Sequence, residues 1–526
     1  MHTHPGPSRF VIPLCGPPVY GKDHGRTAGD AGERVTDGDA RLVAAVRAGD
    51  LPEVHALLGA GSDPDAVGED GLPVLCAAVA AGEGEIAGAL LGAGADPGAA
   101  DADGVPILCA AVAAFAYKTV AALVEAGADP DLGLPDGTTP LLRAVEGGSP
   151  AVVSALLWSR DLRAPGARLA PPVRERLLAA ARDWYETGAE AELRRRTGAT
   201  GPARTATVDD EWCEVEQVTL GGRTVRAGHG AVLTTLESAF GLPAPPAELV
   251  ARAVRHPDSA HADWAASLFD LRNRPGEEAR DTVTALRHHP SPHHRRFAAD
   301  WLGPRPSFTD TDAYPHHEDD RDLLAAWAET ETDAVVLAQL LWALTEHAEE
   351  HPRLEAVGLR YADHPDPRVR RKVPDCLGRH DGPLTARVAG VLGVLTRDPD
   401  DEVRFGAACA LLAAGREGRE GDEDRDGPRA VVRRLARDPH SPVRGGAAEV
   451  LAESGDRTAD ATEVLLALLD TGDRILRLIG AYGLARRDHP YTPQAYARVE
   501  ELGPIHQPDH RSFALDDWHR RNGGKR

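Results

Sequence analysis

One segment of the chain carries carboxylates at a spacing that suits a calcium ion. Residues 422–427 read Asp-Glu-Asp-Arg-Asp-Gly, and Asp422, Asp424 and Asp426 stand at the alternate positions from which a calcium-binding loop takes its first ligands. The same loop needs a bidentate glutamate six residues after its glycine, where this chain has Arg433. The spacing therefore favours a solvated acidic loop, with calcium binding as the alternative.

Two further motifs lack the features that their chemistry needs. Residues 16–22 read GPPVYGK, but Pro17 and Pro18 remove backbone N–H groups that a phosphate loop must offer. Residues 347–351 read HAEEH, an inverted zinc-protease motif, but Pro352 disfavours a helix at the second histidine. We therefore predict no catalytic residue, no metal, no cofactor and no small-molecule substrate.

Composition limits the possible partners. The chain has 526 residues, too many for one hydrophobic core, and a formal charge of -23, which disfavours general nucleic-acid binding and adsorption to anionic membranes. Six cysteines form no disulfide framework, and no apolar run approaches the about 20 residues that span a bilayer. We expect a cytoplasmic protein.

The first half of the chain repeats every 33 residues. The markers are a Gly-x-Asp-Pro turn, an Asp-Gly pair and an apolar helical stretch. They occur at residues 61–64, 94–97 and 127–130, at 70–71, 103–104 and 136–137, and at 75–79 and 108–112. We expect each unit to be a turn and two helices, with Gly61, Gly94 and Gly127 ending the second helix at positive φ.

This pattern resembles the ankyrin repeat, in which DG-x-TPLH-x-AA precedes a helix ending in GAD. The resemblance covers about residues 37–160 as four units, and residues 139–141 keep the Thr-Pro-Leu start. The motif histidine is replaced by Cys76, Cys109 and Leu142. The resemblance implies protein binding through the fingertips of the array, here the segments 68–70, 101–103 and 134–136.

A different phrase recurs downstream. Residues 364–370, 398–404 and 438–444 read HPDPRVR, DPDDEVR and DPHSPVR, each before an Ala/Leu-rich helix. Aligned on Val369, the equivalent positions are His261, His294, Val335, Val403, Val443 and Ile475. Proline ends the preceding helix, and Asp or Ser caps the next one.

The second pattern resembles the HEAT repeat, particularly the short version named after phycobilisome lyases. We interpret residues 231–490 as about seven such units. The arginines at equivalent helix starts, Arg368, Arg370, Arg404 and Arg444, are either partners of aspartates in neighbouring repeats or the lining of a groove for nucleic acid.

The predicted fold is all-α, an ankyrin-like solenoid followed by a HEAT-like α-solenoid, with a small β-hairpin between them. The hairpin turns at Gly221-Gly222 and serves as a spacer or as an edge for a partner. The predicted divisions are a disordered tail (1–36), the ankyrin array (37–165), a connector (166–230), the HEAT array (231–490) and a C-terminal tail (491–526), in which 513–518 can form a docked helix.

We expect a non-enzymatic scaffold or adaptor that binds proteins on pre-formed repeat surfaces. Nucleic-acid binding by an arginine-lined groove and a lyase-type activity are the alternatives. The acidic fingertips predict a basic or polar partner. The candidate partner-binding residues are Glu69, Asp70, Asp101, Asp103, Leu134, Asp136, Arg368, Arg370, Arg404 and Arg444.

Overall fold

A computed structural model describes residues 37–158, 169–274, 276–303, 316–346, 352–378, 384–414, 426–439, 441–500 and 509–522. These residues are mostly helical, and a small antiparallel sheet interrupts the helices. The chain divides into two compact units, with the boundary between Ala285 and Leu286. This boundary falls inside the segment predicted as the HEAT array.

The first unit begins with four helical hairpins. Their helices are α1 (Asp37–Ala48), α2 (Leu51–Gly59), α3 (Val74–Ala81), α4 (Gly84–Gly92), α5 (Ile107–Ala113), α6 (Tyr117–Ala126), α7 (Pro140–Gly147) and α8 (Pro150–Trp158). The predicted positive φ angles are confirmed at Gly61, Gly94 and Gly127, at 95°, 100° and 123°. Because only glycine adopts this backbone without strain, the glycines end or follow the second helices as expected.

The hairpins stack in chain order and form two parallel rows of helices. The first helices form the row α1, α3, α5 and α7, and this row continues onto α9 (Pro171–Thr187). The second helices form the row α2, α4, α6 and α8, which continues onto α11 (His229–Ala239). The connector therefore supplies the next layer of the stack.

One hydrophobic core follows this stack from Leu42 to Phe240. Leu177 of α9 and Leu236 of α11 belong to it, and they are 2% and 0% exposed. Small residues such as Ala78 and Ala111, both 0% exposed, let neighbouring helices approach closely. The core crosses the predicted division at 230/231 without a break.

The predicted β-hairpin is one part of a three-stranded antiparallel sheet in the order β1-β2-β3. The strands are β1 (Arg204–Asp210), β2 (Cys213–Leu220) and β3 (Arg223–Arg226). Gly221 and Gly222, at φ 60° and 76°, form the expected turn between β2 and β3. Only β1 was missed, because its exposed Thr-rich sequence lacks the apolar alternation typical of a half-buried strand.

Four further helices complete the first unit, and the first and third of them in chain order contact the sheet. They are α10 (Ala189–Thr197), α12 (Pro246–Arg255), α13 (Ala262–Arg272) and α14 (Glu278–Ala285). Val218 and Leu220 pack with Leu193 of α10, and Val215 packs with Ala231 and Ala262. Both ends of the sheet are thus anchored to helices.

The second unit starts with a 3-10 turn (Leu286–His288) and continues as paired helices. They are α15 (Pro292–Leu302), α16 (His317–Ala328), α17 (Ala334–Glu346), α18 (Leu354–Tyr361), α19 (Pro367–Arg370), α20 (Val373–Leu377), α21 (Ala386–Leu395), α22 (Asp401–Ala414), α23 (Asp426–Leu435), α24 (Ser441–Glu453), α25 (Ala459–Leu468) and α26 (Arg474–Ala485). The helices that follow the recurring phrase stack on one another as α15, α17, α19–α20, α22, α24 and α26.

At two of the positions aligned with Val369, the buried residue is the one directly after the predicted residue. Val369 and Val403 are 0% exposed, but Ile475 is 48% exposed. Val336 and Leu476, each three residues after a capping aspartate, are 0% and 2% exposed and occupy the buried position instead. The cap determines the register, because the third residue after it faces the neighbouring helix.

The segment predicted as a C-terminal tail contains two helices, α27 (Thr492–Glu500) and α28 (His510–Arg521), both packed on α26. Leu515 is 2% exposed within the core of the second unit. The hydroxyl of Tyr496 donates a hydrogen bond of 2.9 Å to Asp516, which joins the two helices. The short docked helix expected at 513–518 thus lies within α28.

Candidate partner-binding surfaces

Three short fingers project between the first helices of the stack, and they share one backbone geometry. In each finger an N–H donates to a carbonyl oxygen four residues later, at 2.9 Å. The pairs are Gly68–Leu72, Asp101–Val105 and Leu134–Thr138. Single antiparallel bridges at Val67–Pro73 and Ala100–Pro106 extend two of the fingers.

Three of the predicted carboxylates form the turns at these fingertips. Asp101 accepts hydrogen bonds of 2.9 Å from the N–H groups of Asp103 and Val105. Asp70 accepts from the N–H of Leu72 at 3.2 Å and pairs with Arg47 at 2.9 Å. These hydrogen bonds hold the turns in shape, and they make the carboxylates less available to a partner.

Asp136 has the same turn role. It accepts a 2.6 Å hydrogen bond from the Thr138 hydroxyl and pairs with Arg143 at 2.9 Å. These contacts, the Thr138 hydroxyl first, lower the pKa of Asp136 to about 2. Asp136 is therefore ionised at neutral pH, and Arg143 compensates its charge locally.

Glu69 and Asp103 differ from the other fingertip carboxylates. Both are exposed, and neither forms a hydrogen bond or an ion pair through its side chain with any residue in the described ranges. They lie at the tips of two successive fingers of equal geometry. The structure thus singles out two of the predicted acids as available to a partner.

Leu134 is a correction to the predicted surface. Its side chain is 8% exposed, although it occupies the same finger position as the half-buried Gly68 and Asp101. An apolar side chain at this position folds inward because burial removes it from water. Leu134 therefore belongs to the core beneath the third finger.

The predicted arginines of the second unit make a repeated contact with the backbone. The guanidinium donates hydrogen bonds to two carbonyl oxygens of the preceding turn, five and six residues earlier, at 2.7–3.2 Å. This geometry occurs at Arg370, Arg404 and Arg444. Each arginine thereby gives a hydrogen-bond donor to two carbonyl groups of the turn that leads from the preceding helix to its own helix.

Some of these arginines also bind aspartates of a neighbouring repeat or of their own turn. Arg370 forms a bidentate pair with Asp398 at 2.8 and 2.9 Å, and Arg371 forms one with Asp400 at 3.0 and 2.7 Å. Arg368 pairs with its own Asp366 at 2.6 Å, which lowers the pKa of that carboxyl to about 2. Charges held in this way offer less attraction to phosphates than a groove of unpaired cations.

The sequence alignment overlooked Arg295, which has the same two roles. It donates to the carbonyl oxygens of His289 and Pro290 at 3.0 and 3.1 Å, and forms a bidentate pair with Glu331 at 3.0 Å. The signal was present in the sequence. Arg295 follows a His-Pro pair at the same distance as Arg370 follows His364-Pro365.

An open cleft of about 560 Å³ lies beside this ion pair. Arg295, Trp327 and Glu331 line it together with residues of the Leu286–His288 turn. The indole N–H of Trp327 donates to Glu331 at 3.0 Å, so the polar groups on this wall bind one another.

The first unit buries several charged side chains that sequence reasoning missed. Asp263 is 1% exposed, accepts a 2.6 Å hydrogen bond from the N–H of Ala231, and has its pKa raised to about 7 by burial. His261 is 8% exposed, stacks on His256 at 4.2 Å between ring centroids, and has its pKa lowered to about 4 by burial. Burial therefore sets the pKa of both groups, while the stacked His256 keeps 34% of its side chain exposed.

Other buried charges tie the sheet and α11 to their neighbours. Asp210 of β1 is 3% exposed and accepts from the Ser149 hydroxyl at 2.6 Å and the Ala151 N–H at 3.0 Å. Arg252 is 0% exposed and binds Glu237 of α11 at 2.7 Å. These partners lie up to 61 residues apart in sequence, so no local pattern reveals them.

Two of the three calcium candidates lie outside the part of the chain that the structure describes. Asp422 and Asp424 lie outside the described residues, and Asp426 is the first residue of α23. The zinc-like motif at 347–351 and the phosphate-loop motif at 16–22 also lie outside them. Among the residues that are described, no three histidine, cysteine or acidic side chains are grouped to hold a metal ion.

Comparison with known families supports the second pattern. A family described as HEAT repeats matches residues 388–485, a stretch that spans most of the path from α21 to α26. No curated protein matches the chain. None of the helices in the described ranges is long and apolar enough to cross a membrane.

Proposed function

We propose that the chain is a non-enzymatic scaffold that binds partner proteins on two pre-formed repeat surfaces. The first surface is the row of fingers, and we propose that this array is of the ankyrin type. The second is the HEAT array. HEAT repeats generally mediate protein–protein interactions, which supports this assignment for the second unit.

One observation supports partner binding at the row of fingers. Glu69 and Asp103 are carboxylates without a partner in the described part of the chain, and they lie on fingers whose shape is fixed by Asp70 and Asp101. A surface ordered before binding loses little conformational entropy when a partner arrives. The partner that matches it carries exposed lysine or arginine side chains.

The test uses the full chain as bait in its own cell extract. The variant Glu69→Lys with Asp103→Lys reverses the charge of the surface. The control Glu85→Lys with Glu125→Lys makes the same charge change on exposed positions of α4 and α6, the second helices of two hairpins. Quantitative mass spectrometry then compares the proteins that each bait retains.

We expect the finger variant to lose its basic partners about tenfold while the control retains them, because opposite charges across an interface turn repulsive on reversal. Raising the salt concentration should release the same partners. If the finger variant and the control retain the same proteins in equal amounts, the finger surface is not the binding site.

The proposal includes a cytoplasmic location, which the cysteine chemistry supports. Cys76 and Cys109 lie buried in α3 and α5, and burial raises the pKa of both thiols. Protonated, buried thiols act as small apolar groups and suit a reducing compartment.

A further inference from the structure

The sheet of the first unit ends on one side at β1, and no other strand of the described residues pairs with the outer edge of β1. Between β1 and β2 the register runs without a bulge over seven pairs, from Arg204–Thr219 to Asp210–Cys213. In such a ladder, alternate residues direct both backbone groups toward the partner strand, and the others direct both groups away from it.

Contacts on the far side of β2 identify which residues of β1 face outward. The N–H of Glu214 donates to Ala260 at 2.8 Å, and the carbonyl of Glu216 accepts from Ala227 at 2.7 Å. Both groups therefore point away from β1. Asp209 and Thr207 pair with these two residues in the register, so their own N–H and C=O groups must point to the outer edge. Thr205, two residues before Thr207, points the same way.

These outward groups have no partner among the described residues. Thr205, Thr207 and Asp209 form no backbone hydrogen bond outside the strand ladder, and their side chains are exposed. Natural sheets usually protect such edges with proline, a bulge or a covering segment. Within β1 there is no proline, and its seven continuous pairs leave no room for a bulge.

The sheet face beside this edge has a strongly acidic end. Asp209 stands directly opposite Glu214, and Glu216 is the next residue on the same face of β2. All three are exposed, and none forms an ion pair with a described residue. Like charges directly opposite each other destabilise a strand pair, so a cation placed here would relieve a repulsion that the isolated protein retains.

An exposed aromatic side chain completes this surface. Trp212, 46% exposed, lies in the two-residue turn that follows Asp209 and Asp210 and precedes β2. Indole faces attract the ammonium and guanidinium groups of lysine and arginine. Backbone, charge and aromatic group all suit the same kind of ligand.

We infer that the outer edge of β1 binds an extended basic segment of a partner protein as a fourth strand. Backbone hydrogen bonds to Thr205, Thr207 and Asp209 hold the segment, and its lysine or arginine side chains at alternate positions lie over Asp209, Glu214 and Glu216. A second copy of the chain is a poorer occupant, because symmetric pairing of two β1 strands adds a second set of carboxylates to a chain of charge -23.

The test measures binding of a fluorescent nine-residue peptide that alternates lysine and valine. The variant Asp209→Asn, Glu214→Gln, Glu216→Gln removes the three charges. The control Glu85→Gln, Glu125→Gln, Glu186→Gln removes three exposed charges from helices. We expect the first variant to bind at least about tenfold more weakly than the full wild-type chain, and the control to bind within about twofold.

Strand addition has its own readouts. Thr207→Pro removes an outward N–H without breaking the ladder to β2, so binding should be lost while circular dichroism stays unchanged. Hydrogen exchange at Thr205, Thr207 and Asp209 should slow when the peptide binds. Peptides with every second amide N-methylated, made in both registers, should include at least one that fails to bind.

Several results would overturn the inference. If the charge variant and its control bind the peptide equally, the three acidic side chains do not contribute to binding. If both N-methylated peptides bind as tightly as the unmodified peptide, or if exchange at the three amides does not change, the peptide does not bind as a strand. If the wild-type chain is a dimer and Thr207→Pro converts it to a monomer, the edge of β1 binds a second copy of the chain instead. The finger variant should bind the peptide as tightly as the wild type does. Either proposal can therefore be disproved without affecting the other.

Discussion

At the residue scale, Gly230 and Asp263 share one small volume. The Asp263 carboxylate accepts the Ala231 N–H at 2.6 Å, and a Cβ atom on Gly230 would lie 2.5 Å from one of its oxygens. The carboxylate is buried and cannot move aside into solvent. Glycine is therefore required at this position by space, in a helix where alanine would otherwise be preferred.

We predict that Gly230→Ala destabilises the first unit by about 2 kcal/mol, because overpacking forces the buried carboxylate from its place. The control is Gly88→Ala in α4, where no atom of the described residues lies within 4 Å of the added Cβ. That change should stabilise by about 0.5–1 kcal/mol through helix propensity. Urea unfolding followed by hydrogen exchange of peptides from the first unit measures both, and equal stabilities of the two variants would contradict the prediction.

At the element scale, the second unit repeats one clamp between turn and helix. Arg370 binds the carbonyl oxygens of His364 and Pro365 and the carboxylate of Asp398 in the next unit. The sequence predicted the arginine positions and the pairing with neighbouring aspartates as one of two interpretations. The backbone contacts were not predicted, because the five- and six-residue return becomes visible only when the turn is folded.

We predict that Arg370→Ala destabilises the second unit by about 2 kcal/mol, because it leaves Asp398 and two carbonyl groups without their donor. Arg368→Ala is the control. Its side chain is 56% exposed and pairs only locally, so we expect less than about 0.5 kcal/mol. Urea unfolding read by hydrogen exchange of α19–α22 peptides separates the two, and a loss for Arg368→Ala as large as for Arg370→Ala would count against the clamp.

At the scale of the whole molecule, the core of the first array does not end where its repeats end. Leu177 and Ala181 of α9 and Val232, Leu233 and Leu236 of α11 are all buried in the same core as Leu42. The predicted divisions at 165 and 230 therefore separate helices that share one core. The sequence cannot show this, because α9 and α11 lack the 33-residue markers and join the stack only through their apolar faces.

We predict that a fragment of residues 37–165 is at least about 5 kcal/mol less stable than a fragment of residues 37–285, because it exposes the apolar surface that α9 and α11 cover. Urea denaturation followed by circular dichroism gives the difference, and binding of a hydrophobic dye reports the exposed core. A shorter fragment that unfolds cooperatively at the same urea concentration as the longer one would disprove the continuity of the core.

The sequence alone determined the features that depend on neighbours along the chain. Periodic glycines predicted the helix ends at Gly61, Gly94 and Gly127, and the recurring D-P-x-x-x-V-R phrase predicted the helix starts of the second unit. Local backbone sterics and capping decide these features, so a local pattern is enough to reveal them.

Only the tertiary structure decided which of the predicted surface residues are available and which charges are buried. Leu134 is buried, Asp70 and Asp101 form hydrogen bonds within their turns, and Glu69 and Asp103 have no partner among the residues that the structure describes. Asp263 and Arg252 found partners on helices distant in sequence. Burial and pairing depend on atoms brought together from many segments, and this information is not contained in any single stretch of the chain.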